Sequence, residues 1–228
     1  MGVLGRFATT AEVVVSKLFP AGFGWQAASI VADQMGHAAD SVQFAAITGL
    51  GDGAAVLAGH TTYNVVKKVV YDSNVSLPTE IGTATWLAAA ATCSGGLWQP
   101  IVNTLQAADK LPFELVFAGT WLGCGTAFLG GLRVGRMIMP WMGAPDNANM
   151  GTDAALSMAI GGASAFFVGT DVAYLNGQGN VLRPLVGVED VDADLIGCVK
   201  AGSSTALGFT VAQSVQNLTY KDGQAWCD

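Results

Sequence analysis

Residues Ile30–His60, IVADQMGHAADSVQFAAITGLGDGAAVLAGH, decide the fold. From Ser41 to Val66 the chain is apolar or small, and Asp52 is its only Asp, Glu, Lys or Arg. A run of about 20 mostly apolar residues spans a bilayer as a helix. Asp52 falls near the middle of this run, where a charge costs about 2.5–3.5 kcal/mol on insertion scales. A carboxyl group in that place faces a bundle interior, a water-filled cavity or a partner. His60 follows eight residues on, about two helical turns, and so lies on nearly the same face, with Asn64 one turn further. Upstream, Asp33, His37 and Asp40 stand at i, i+4 and i+7, the spacing of one wet helical face.

Outward from this stretch, charge-free windows repeat. Twenty-eight residues separate Glu80 from Asp109, 18 separate Glu114 from Arg133, 17 separate Asp153 from Asp171 and 20 separate Lys200 from Lys221. These windows predict an all-α, polytopic membrane bundle of five helices, at about 40–66, 82–107, 112–139, 153–176 and 194–219. Segment 22–39 is expected to be an interfacial helix with Trp25 at headgroup level, or a sixth, partly buried span. The chain then divides into an N-terminal segment 1–39, a membrane domain 40–219 and a tail 220–228. Lys, Arg, Asp and Glu make up 12% of the 228 residues, about half the usual share for a globular domain. Mean hydropathy is +0.44.

The net charge of −7 excludes nucleic acid as an expected partner, because binding there rests on basic side chains neutralising phosphates. The four cysteines, Cys93, Cys124, Cys198 and Cys227, form no CxxC pair and read as small packing residues. No nucleotide-binding loop, Ser/His/Asp set or zinc motif occurs, so catalysis is not expected. His37, His60, Asn64, Gln99, Asn103 and Gln213 are types able to ligate pigment or haem, but no spacing makes them specific. Bound lipid is the one companion molecule expected, and no cofactor or metal is.

Thirty glycines, among them the GxxxG pairs Gly49/Gly53, Gly119/Gly123 and Gly131/Gly135, predict close helix packing. Pro100 predicts a kink in the second span. Arg133 and Arg136, at the end of the third, read as anchors to lipid phosphate, as complements to the helix C-terminus, or as partners for acids of another subunit. At an offset of 110, Gly51, Ala55 and Gly59 fall on Gly161, Ala165 and Gly169, the trace of an inverted repeat.

Two functions follow. The favoured expectation is a non-catalytic integral subunit of a larger organellar complex, in the mitochondrial inner membrane or thylakoid, with other membrane subunits and lipids as partners. The alternative is a small proton, ion or solute transporter or channel using Asp52, His60 and Asn64.

Overall fold

The computed structural model describes residues 8, 10–71, 74–107 and 112–142, together with individual residues between 153 and 214. Among the described residues there are helices and turns and no strand. The chain enters as a helix at Thr10, which widens into a π-type turn over Val14–Leu18, where the Phe19 N–H donates to the Val14 carbonyl. Pro20 is a sufficient cause: it has no N–H for the Ser16 carbonyl, and its ring would crowd that oxygen in a regular α-turn. Helix α1, Phe19–Gln34, continues from this turn.

Helix α1 stops at Gly36, whose φ of +78° lies in the left-handed region that favours glycine. The His37 N–H reaches the Ala32 carbonyl at 3.1 Å and the Gly36 N–H reaches Asp33 at 2.8 Å, a Schellman-type end. This corrects the expectation of one wet face carrying Asp33, His37 and Asp40: the helix ends between Asp33 and His37, and His37 and Asp40 lie in the loop. Ser41 then caps helix α2, Val42–Tyr71, its Oγ accepting the Phe44 N–H at 3.1 Å. Helix α3, Leu77–Ala107, has Pro78 in its first turn and runs on through Pro100. Helix α4, Phe113–Ile138, follows Pro112 and ends in a 3-10 turn, Met139–Met142.

The helices pack in chain order, α1 on α2, α2 on α3, α3 on α4. Phe128 of α4 packs against a buried cluster of Val13, Leu18 and Phe209. Glycines form the seams. A Cβ on Gly53 would strike Thr92 Oγ1 and lie 2.6 Å from the Ala88 carbonyl oxygen, and one on Gly49 would lie 2.5 Å from that of Thr92. Gly131 and Gly135 are closed off in the same way by Ala90, Ser94 and Trp86 of α3, and Gly123 by Ile101. Gly119 lies half-buried in α4. On the other side of α2, Gly51 faces Gly24 and Ala28 of α1, and Gly59 faces Pro20 and Ser16. The glycine pairs of α2 and α4 whose surroundings are known therefore pack against helices of the same chain.

The three central helices match the windows read at 40–66, 82–107 and 112–139. Of the last two, the described residues in 153–161 and 195–214 are helical, and the remainder lie outside the described residues, as do Ala165 and Gly169 of the offset-110 repeat and the tail 220–228. One helix, over Val42–Val70, is both long and apolar enough to cross a membrane, with mean hydropathy 1.3; no other described helix meets both conditions.

Candidate functional site

Helix α2 buries every fourth residue along one stripe: Phe44, Thr48, Asp52, Val56, His60 and Asn64. A step of four in a helix of 3.6 residues per turn keeps these side chains on one slowly turning face. Four of the six are polar. The outward residues are the reverse: Val42, Leu50, Leu57, Val65, Val66 and Val69 are exposed. Leu50 is 62% exposed and Asp52, two residues on, 7%. A helix in water buries its apolar face; α2 does the opposite.

Asp52 sits at the seam of three helices. A Cβ on Gly95 of α3 would lie 2.8 Å from Asp52 Oδ2 and 3.1 Å from Trp25 Cδ1 of α1, so glycine at 95 makes room for both side chains. The Trp25 indole points inward to this place. Asp52 Oδ1, Trp25 Nε1 and Gln99 Oε1 are buried and have no hydrogen-bond partner among the described residues. Gln99 stands one turn beyond Gly95 on the same side of α3. Its Nε2 donates to Asn103 Oδ1 at 3.0 Å, and Asn103 Nδ2 donates to the Ala39 carbonyl in the exposed loop between α1 and α2. A polar chain thus leads from that loop to Gln99, one turn of α3 from the glycine beside Asp52.

A second polar group lies toward the other end of α2. His60 Nε2 is 2.9 Å from Glu80 Oε2 of α3, and Asn64 Nδ2 donates to the His60 carbonyl at 3.0 Å. Asn64 Nδ2 also stands 3.1 Å from His60 Nε2. The tautomer with hydrogen on Nε2 fits an ionised Glu80 as acceptor. His60 Nδ1 and the nearby Ser16 Oγ are buried without partners. One turn beyond Asn64, Lys67 Nζ pairs with Glu12 at 3.1 Å, with both side chains about one-third exposed. Such a surface pair is worth at most about 1 kcal/mol. Between the two groups the stripe offers one side chain, Val56, buried and apolar. Asp52 and His60 are about 12 Å apart along the axis at 1.5 Å per residue.

Asp52, His60 and Asn64 thus share one face, as their spacing implies, but Asp52 and His60 do not touch. Sequence reasoning missed Trp25, Gln99 and Glu80 as their neighbours, and Thr48 as a member of the stripe. Arg133 and Arg136 form a separate centre. Arg136 grips Asp153 with two hydrogen bonds, Nε to Oδ2 at 2.7 Å and an Nη to Oδ1 at 2.6 Å, and Arg133 approaches Oδ2 at 3.5 Å. Asp153 is fully buried. Both arginines therefore have an acid of their own chain within reach. No group of three His, Cys, Asp or Glu side chains placed to hold a metal occurs among the described residues.

Comparison of the chain with protein-family models, with curated proteins and with solved structures gives no match.

Proposed function

We propose that this chain is a membrane-embedded helical bundle that moves a proton or small cation along the inward face of α2. The observation that carries the reading is the buried polar stripe Thr48–Asp52–His60–Asn64 on the one described helix long and apolar enough to cross a membrane. Ionisable residues at membrane depth are expensive, face the bundle interior, and mark ion or proton pathways. The apolar outward residues of α2 and α4, such as Leu50, Leu122 and Met137, suit lipid as their surroundings. In this reading α1 and α3 flank the stripe, α4 packs on α3, and the segments near 153–176 and 194–219 complete a bundle of five or six spans.

The second reading is a structural subunit of a larger organellar membrane assembly. The GxxxG pairs give it less support than expected, because Gly49, Gly53, Gly131 and Gly135 pack within the chain. Its own support is the apolar surface at the end of α4, where Met137 and Trp141 are exposed side by side with Met142.

Reconstitution into liposomes separates the two. Under a membrane potential the wild-type protein is expected to admit protons or a small cation, and Asp52→Asn to reduce uptake to that of empty vesicles. Asn keeps the shape and supplies no ionisable group. His60→Gln is expected to slow uptake without abolishing it, since Gln keeps a hydrogen bond to Glu80 but cannot take up and release a proton. Equal uptake by wild type and Asp52→Asn would sink the transport reading. A fixed-stoichiometry complex retained in mild detergent, with no flux, is the outcome for the subunit reading.

A further inference from the structure

Asp52 and Trp25 meet beside Gly95, Gln99 stands one turn along α3, and their unpartnered groups differ in kind. Asp52 Oδ1 and Gln99 Oε1 are acceptors, whereas Trp25 Nε1–H is a donor and nothing else. Asp52 and Gln99 are each more than nine-tenths buried. Buried polar atoms left open by the protein are ordinarily satisfied by ordered water. A water between Asp52 and Trp25 would accept from the Trp25 indole and donate to Asp52 Oδ1.

A metal cation suits the set poorly. Hard cations take a shell of oxygen atoms, six or more for divalent ions. The indole N–H presents its positive end to the same space and opposes a cation there. Among the described residues no group of three His, Cys, Asp or Glu side chains that could hold a metal forms around Asp52. The approach from the loop, Ala39 carbonyl, Asn103 and Gln99, consists of neutral amides.

Resting on the transport reading above, we propose that the Trp25–Asp52 seam is a hydrated proton-binding site, and that the species carried is the proton and not a metal ion. Hydronium arriving past Asn103 and Gln99 transfers its proton to Asp52 Oδ1. One O–H bond breaks on hydronium, one forms on the carboxyl, and neutral water remains. The reverse transfer to water restores the carboxylate. Trp25 is a positioning residue, its N–H fixing the water or carboxyl oxygen that receives the proton.

The test uses the full chain in liposomes, with a trapped pH-sensitive dye for protons and labelled Na⁺, Rb⁺ and Ca²⁺ for metal ions. Proton uptake that persists in choline buffer and is lost in Asp52→Asn supports the proposal. Asp52-dependent uptake of Na⁺, Rb⁺ or Ca²⁺ without proton movement overturns it and leaves the transport reading standing. No Asp52-dependent flux of any ion overturns both. An independent readout needs no transport. Infrared spectra of the detergent-solubilised protein are expected to show a titrating carboxyl C=O band that Asp52→Asn removes and Trp25→Phe shifts, because Phe keeps the ring and loses the N–H. A carboxyl band unmoved by Trp25→Phe overturns the assignment of Trp25 to the site.

Discussion

Asp153→Ala is expected to destabilise the bundle by about 3–5 kcal/mol, the usual cost of removing one partner from a buried ion pair. Asp153 is wholly buried, and the Arg136 side chain is 18% exposed. Without the carboxylate, Arg136 keeps its charge in the interior and loses both hydrogen bonds at 2.6 and 2.7 Å. The penalty belongs to the stranded guanidinium more than to the pair. Replacing both residues, Asp153→Leu with Arg136→Met, is therefore expected to recover most of the loss, since apolar side chains of similar volume often match a buried pair. Thermal unfolding in detergent of the wild type, both single variants and the double variant completes the cycle. If Asp153→Ala melts with the wild type, the pair is not formed in the folded protein.

Gly53→Leu is the second large effect, expected at or above about 3 kcal/mol, the upper end of overpacking penalties. The first added carbon already meets Thr92 Oγ1 and the Ala88 carbonyl oxygen, 2.6 Å away, and backbone atoms of a helix cannot move aside singly. Helices α2 and α3 must separate along their whole seam. The control lies in α3: at Gly82 a Cβ meets nothing nearer than the Met142 carbonyl oxygen at 3.6 Å. Gly82→Ala is expected to be neutral or to stabilise by up to about 1 kcal/mol through helix propensity. Folded yield from a detergent column, measured for both variants, checks the contrast. Equal yields would remove the argument that glycine at 53 sets the interhelical distance.

The positions of α2, α3 and α4 are legible in the sequence because uncharged windows of helical length leave few other structures open. Asp52, His60 and Asn64 are legible as one face because helical periodicity alone relates them. The same step of four, started at Phe44, also includes Thr48 and Val56. The seam around Asp52 is not legible. Trp25, Gly95 and Gln99 come from two other helices, and only tertiary packing brings them together. Glu80 shows in the sequence as the boundary of a charge-free window, which hides its role as the partner of His60. Asp153, similarly, marks a helix start in the sequence and a buried anion in the structure. The failure at Asp33–His37–Asp40 is local: spacing alone supports a continued helix, whereas Gly36 adopts a backbone conformation that ends it.

Helix α2 has glycine toward α3 at 49 and 53, glycine toward α1 at 51 and 59, and the polar stripe between. Three of its sides are committed, for two physical reasons: contact distance on two, and buried polar groups on the third. Only the outward arc through Val42, Leu50, Leu57, Val65 and Val69 is free, and there any large apolar residue serves equally. Neutral drift in α2 is therefore confined to that arc. Among descendants of this sequence the helix would change by exchanging one aliphatic residue for another outside, while its glycines and polar residues could be replaced only together with their neighbours on α1 and α3.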